Sequence, residues 1–107
     1  MSKPKESYTV TPDYVKSFRD YLRIATDRLD GELKDLIHAA QSDLILGGVL
    51  PIRATDEKDP LIKRAIATYV KAEFGLDNPD AEQYRAAYFD IKRRLLLADE
   101  YIKPKEG

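Results

Sequence analysis

Three pairs of residues mark where helices begin in this chain: Thr11-Pro12, Asp59-Pro60 and Asn78-Pro79. Thr, Asp and Asn side chains accept hydrogen bonds from the free amides of a first helical turn, and proline at the first helical position has no amide to leave unpaired. Each pair therefore predicts a helix start. Gly47-Gly48 and Gly75 supply helix stops, so the chain should be built mainly of helices.

Apolar residues recur at three- and four-residue intervals in four segments, which predicts helices at about 12–23, 31–46, 60–74 and 79–102. Asp30 is the expected cap of the second helix. The last helix would reach roughly 36 Å, so we expect its far end to project from a small domain. The spaced residues are Val15, Phe18 and Leu22; Leu33, Ile37, Ala40 and Leu44; Ile62, Ile66, Tyr69 and Val70; and Tyr84, Tyr88, Ile91, Leu95, Ala98 and Ile102.

A chain of 107 residues is long enough for one hydrophobic core and too short for two. We therefore expect an all-α bundle of about four helices in a single domain at 10–102. The ends at 1–9 and 103–107 are rich in Lys, Glu and Pro and should be flexible tails. The connection at 47–59 begins apolar and ends charged, which favours a long loop or a short β-arm.

Composition excludes several classes of protein. Lysine and arginine number 18 against 19 acids, so no global positive charge favours non-specific binding to DNA phosphates. Cysteine is absent, which excludes thiolate metal sites and fits a reducing compartment. The N-terminus lacks the apolar core of a signal peptide, and no apolar run is long enough to span a bilayer. We expect a soluble protein that does not bind membranes.

The only histidine, His38, follows Asp35 at a spacing that places both side chains on one helix face. Paired carboxylate–histidine motifs bind metals in di-metal bundles, but such sites repeat the motif on a second helix. Here the surrounding positions are polar and no second histidine exists, so an ordinary exposed histidine is the better interpretation.

Two other charged clusters also have simpler explanations. The acids of residues 27–32 resemble part of a calcium loop, but aligning Gly31 with its invariant glycine leaves Thr26, Arg28 and Ile37 at ligand positions. Lys92-Arg93-Arg94 lies near acids on the same helix, which favours a salt-bridged, solvated face over phosphate binding. No nucleotide-binding or hydrolase motif is present, and we expect no catalytic residue, metal or cofactor.

The strongest unexplained feature is apolar surface. The runs 44–46 and 95–97 each cover an arc of about 200° on a helix, wider than the stripe that a small bundle buries. Either neighbouring elements bury them, or another subunit or protein does. The candidate interface residues are Leu44, Ile45, Leu46, Val49, Leu50, Ile52, Phe89, Leu96, Leu97, Tyr101 and Ile102.

Several strings, in their order along the chain, resemble the head-to-tail connector proteins of long-tailed bacteriophages. They are "YLRI" at 21–24, "LIHAA" at 36–40, "DPLIKRAIATYVKAEFG" at 59–75 and "DNPDAEQYRAAY" at 77–88. The resemblance spans roughly residues 12–102. The long last helix and the polar N-terminal extension depart from the shortest members of that family.

The resemblance implies a structural, non-catalytic virion protein made in the cytoplasm of the host bacterium. Its subunits would form a ring, of twelve copies, between the portal protein and a neck, stopper or tail-completion protein. DNA would pass through the ring without sequence-specific binding. The alternative from another class is a small dimeric helical regulatory or DNA-binding module, although residues 60–74 lack the basic recognition face of a helix-turn-helix.

Overall fold

The computed structural model describes residues 9–75 and 78–104, and within them it contains helices and no strands. The predicted all-α bundle is confirmed. Of the predicted flexible tails, 1–9 and 103–107, the structure describes residues 9, 103 and 104 and the rest lie outside the described residues. The helices are α1 (Pro12–Tyr21), α2 (Asp30–Gly47), α3 (Pro51–Ala54), α4 (Pro60–Glu73), α5 (Ala81–Leu96) and α6 (Asp99–Ile102).

Helix α4 lies at the centre of the bundle and packs against both α5 and α2, while α1 packs against α2. The stripes predicted from apolar spacing face inward on all four long helices. Their best-buried members fill one continuous core, with no exposed surface on Phe18, Leu33, Ile37, Ala40, Leu44, Ile62, Ile66 and Val70.

Two of the three predicted cap–proline starts are confirmed. Thr11 Oγ1 accepts a hydrogen bond from the Tyr14 amide at 3.2 Å. Asp59 Oδ1 accepts hydrogen bonds from the Leu61 and Ile62 amides, at 2.9 and 3.2 Å. These contacts are local, so the sequence was sufficient to predict them.

The third predicted start is wrong, because α5 begins at Ala81 and not at residue 79. The Asn78 side-chain amide donates to the Lys71 and Ala72 carbonyls at the end of α4, at 2.6 and 3.4 Å. Its oxygen accepts from the Asp80 amide at 3.2 Å. Asn78 therefore ties the end of one helix to the turn that precedes the next.

Asp30 is also not the cap of α2. The helix begins at Asp30 itself, after Leu29, and the Leu29 side chain makes no capping hydrogen bond. The Asp30 carboxylate lies 3.1 Å from the Arg19 guanidinium instead. A partner on α1 thus replaces the local capping role, and it joins the end of α1 to the start of α2.

The connection at 47–59 is not an extended arm. Gly48 adopts a φ of 126°, which allows the chain to turn sharply after α2, and Pro51 then starts the one-turn helix α3. Val49 is buried, and the Leu50 amide donates to the Tyr101 carbonyl at 2.8 Å. Most of the predicted arm is therefore folded onto its own subunit.

The predicted long C-terminal helix is broken near its end. Helix α5 stops at Leu96, Ala98 adopts an extended conformation, and α6 turns back onto the domain. No glycine or proline causes the break. The Tyr101 hydroxyl donates to Asp59 Oδ2 at 2.9 Å, and this contact holds α6 against the start of α4 rather than letting it project.

Candidate subunit interface

The structure separates the eleven candidate interface residues into three groups by exposure. Four are large apolar residues on the surface: Leu46, Ile52, Phe89 and Leu97, with exposed fractions of 86%, 75%, 60% and 78%. The half-buried group contains Ile45, Leu50, Leu96 and Ile102. The remaining three, Leu44, Val49 and Tyr101, are buried in the core.

These three residues were predicted to lie in an interface, but the structure places them in the core of their own subunit. Leu44 belongs to the inward stripe of α2 and has no exposed surface. Val49 lies just after the turn at Gly48 and is 1% exposed. Tyr101 faces inward because α6 folds back. Each is already covered by its own subunit, so a partner cannot reach it in this conformation.

One exposed apolar region lies where the end of α2 meets α5. Gly47 allows close approach of the two helices, because a Cβ there would lie 2.7 Å from Lys92 Cε and 3.8 Å from Leu96 Cδ1. Phe89 lies on the same side of α5, with Lys92 Nζ 5.9 Å from its ring centroid. We call Leu46, Phe89 and Leu96 the α2–α5 patch.

A polar cluster anchors α5 to α2 beside this patch. Asp43 accepts hydrogen bonds from the Tyr88 hydroxyl at 2.5 Å and from Lys92 Nζ at 2.9 Å. Partial burial works against the charged form of Asp43, but the bonds from Tyr88 and Lys92 outweigh it and lower the Asp43 pKa. Burial and the contact with Asp43 both raise the Tyr88 pKa. Asp43 is thus ionised and Tyr88 neutral at physiological pH.

A second apolar region surrounds α3. Leu50, Pro51 and Ile52 line a surface groove of about 770 Å³ whose other walls are charged. Arg53 crosses to α6, where its Nε donates to the Glu100 carbonyl at 3.0 Å. We call this the α3 groove. Ile52 is its most exposed apolar side chain, and its charged walls come from Arg53, Asp56, Glu100 and Lys103.

A third surface was missed by sequence reasoning. Helix α4 is recessed between α1 and α5, and two depressions of about 440 and 430 Å³ lie along it. Both include Arg64 and Thr68, so they adjoin. We call this surface the α4 trough. Its apolar residues come from α1, α4 and α5, and they are Phe18, Tyr21, Leu61, Ala67, Ala87, Ile91 and Leu95.

His38 and the basic cluster at 92–94 are the residues considered above for metal and phosphate binding. His38 is half-buried and not exposed as predicted, and among residues 9–75 and 78–104 no group of three or more His, Cys, Asp or Glu side chains could hold a metal ion. Arg93 and Arg94 both pair with Asp90, at 2.7 and 3.0 Å. Lys92 pairs with Asp43, so the predicted salt-bridged face is confirmed.

The comparison with protein families shows which class of protein the chain belongs to. A family model described as "Phage connector protein" matches residues 15–102, which is most of the chain. The chain belongs to the phage connector protein family. It is therefore a structural component of a phage virion that contacts other head or tail components. The family assignment favours the connector interpretation over the regulatory module.

The other comparisons add no relative. No curated protein and no solved structure matches the chain. Within the described part of the chain, no helix is both long and apolar enough to cross a membrane. The surface patches must therefore be interpreted from their own geometry together with the family assignment.

Proposed function

We propose that this protein is an adaptor subunit whose copies form a ring, of twelve subunits, below the portal protein. The ring would join the DNA-filled head to a neck, stopper or tail-completion protein and leave a central channel for DNA. The family assignment supports the connector role. The ring, its copy number and its neighbours are the parts that we propose.

The exposed apolar side chains are the observation that carries this proposal. Leu46 and Leu97 lie at the ends of α2 and α5, Phe89 lies in the middle of α5, and Ile52 lies on α3. Burying such side chains is favourable by about 1.5–3 kcal/mol each. A ring requires two different surfaces on each subunit, since each copy meets its neighbours in a head-to-tail manner. The α2–α5 patch and the α3 groove are two such surfaces.

The charge balance suits a channel that DNA must leave quickly. The net charge is -1, so the chain has no general excess of lysine and arginine to hold phosphates. Several of its cations already pair with carboxylates of the same subunit. We infer that DNA passes without sequence-specific contacts.

Imaging the neck of the parent particle by electron cryo-microscopy tests this proposal directly. We expect a ring of density below the portal into which the six-helix subunit fits, with the α2–α5 patch and the α3 groove covered. A neck whose density leaves no place for this chain would overturn the assignment. A ring with both surfaces facing solvent would retain the connector role but refute the interface.

A further inference from the structure

The α4 trough has an excess of positive charge over an apolar floor. Lys63, Arg64 and Arg94 line it against the single carboxylate of Asp90. Leu61, half exposed, contributes to the floor at the start of α4. Such a surface matches a helix that presents an apolar residue flanked by acids.

Lys63 and Arg64, the two cationic side chains of α4 that line the trough, have no ion-pair partner among the described residues. Arg64 is exposed and makes no ion pair with any residue in 9–75 or 78–104. Lys63 lies over the rings of Tyr14 and Phe18, at 5.7 and 5.5 Å from their centroids, and is likewise without an ion pair there. Arg94 shares Asp90 with Arg93. The trough therefore retains net positive charge.

The start of α2 has the complementary character. Leu29 is 38% exposed although it is a large apolar residue, and Glu32 and Asp35 are exposed beside it. Neither acid forms an ion pair with a residue that the structure describes. This segment thus offers an apolar side chain and two free carboxylates on a rigid helix.

The start of α2 and the part of the trough around Leu61 and Arg64 lie toward opposite ends of α4. The start of α2 adjoins the ends of α1 and α4, as shown by the Arg19–Asp30 pair and by Lys71 Nζ lying 4.9 Å from the Tyr21 ring centroid. Arg64 and Leu61 lie near the other end of α4, where Asp59 contacts α6. Within the subunit neither Glu32 nor Asp35 pairs with Arg64 or Arg94, and a second copy placed head to tail can supply acids to both.

We propose that the α4 trough of one subunit receives the start of α2 from the next copy in the ring. Glu32 and Asp35 of one copy pair with Arg64 and Arg94 of the other, and Leu29 covers Leu61. The contact is heterologous, so its repetition closes a ring when the rotation per subunit permits. This inference rests on the proposed ring and adds a charged lateral contact to the two apolar surfaces proposed above.

Charge exchange between the two surfaces provides the test. In the single variants Arg64→Glu and Glu32→Arg, each copy would present like charges to its neighbour, and the yield of tailed particles should fall by about tenfold or more. The double variant restores opposite charges at every contact, so it should recover most of the yield. Both positions are exposed, and circular dichroism melts should show unchanged folding in all three variants.

Mixing the two single variants gives a second readout. In a mixed ring whose copies alternate, every contact joins either the native pair or the exchanged pair, so a phage that carries one variant should be rescued by the other supplied in trans. Lys16→Glu, an exposed change on α1 outside the trough, is the matched control and should leave the yield unchanged.

The outcomes separate this contact from the ring itself. Recovery in the double variant supports the contact. Double variants no better than the single ones, or single variants with full yield, would overturn it. If a ring is visible in the wild-type neck in either of those cases, the proposed function stands and only the lateral contact fails. If no ring is visible, the proposed function fails as well.

Discussion

Helices α4 and α5 are of similar length, but they relate to the rest of the molecule in opposite ways. Six residues of α4 are buried, whereas only Tyr88 and Leu95 are buried on α5. Helix α4 holds the bundle together by packing, while α5 is held by a few apolar residues and by the polar cluster around Asp43. The difference teaches that two adjacent helices of one small domain can differ in burial, since α5 packs on α4 with one face and leaves most of its other side chains at least partly exposed.

The largest effect should come from a residue that sequence reasoning placed at an interface and the structure places in the core. Leu44→Ala should lower the free energy of unfolding by about 2–5 kcal/mol, because it leaves a cavity in the α2 stripe. Leu46→Ala is the matched control, since Leu46 is 86% exposed, and it should change the free energy of unfolding by less than about 0.5 kcal/mol. Urea unfolding measures both. Similar values would contradict the separation of core from surface.

The next effect concerns assembly rather than folding. Phe89→Asp would place an unpaired charge in the proposed contact and should weaken association by about 2–4 kcal/mol. Its thermal melt should stay close to that of the wild type, because Phe89 is 60% exposed. Particle yield is the readout, and Ile52→Asp should behave alike at the α3 groove. Normal yield from both variants would remove these residues from the interface.

The polar cluster around Asp43, which holds α5 against α2, should contribute less to the free energy of unfolding. Asp43→Asn weakens the hydrogen bonds from Tyr88 and Lys92 and should cost about 1 kcal/mol at pH 7, because Asp43 remains partly exposed. The native-state pKa of Asp43 is lowered, so its contribution is present above the unfolded pKa of about 4 and is lost as the pH falls through the folded value.

Melts at several pH values test this sign. The difference between wild type and Asp43→Asn should be largest near neutral pH and shrink below about pH 4. A difference that grows on acidification would mean that the carboxylate is not stabilised in its ionised form.

The contact that folds α6 back should also make only a modest contribution to the free energy of unfolding. Tyr101→Phe removes the hydrogen bond to Asp59 and should cost about 1 kcal/mol. Burial, with the bond to Asp59, raises the Tyr101 pKa to about 12. The contribution is therefore full below the unfolded pKa of about 10 and is lost as the pH rises through about 12. Alkaline melts that show a constant difference would contradict this assignment.

His38 should have the smallest effect of all. His38→Ala should change stability by less than about 1 kcal/mol and leave particle yield unchanged, because no metal-binding cluster surrounds it in the described residues. Isothermal titration with zinc provides the measurement. Stoichiometric, tight binding that disappears in the variant would establish a metal site instead.

The sequence by itself determined those features whose causes lie within one helical turn. The caps at Thr11 and Asp59 satisfy amides two or three residues away, and the inward stripes follow from side-chain spacing along a single helix. The same spacing predicted which face of α5 would pack inward. The helix predicted from this spacing was longer than α5, because no local residue signals a stop before residue 102.

Tertiary structure decided the features whose partners are distant in sequence. Tyr101 meets Asp59 across 42 residues, and that contact, not a helix-breaking residue, folds α6 onto the domain. The fold also buried Val49, gave Asn78 a partner on α4 and created the α4 trough between three helices. The spacing of residues along a helix determines the direction in which each side chain points, but only the packing of the helices determines which residues that side chain contacts.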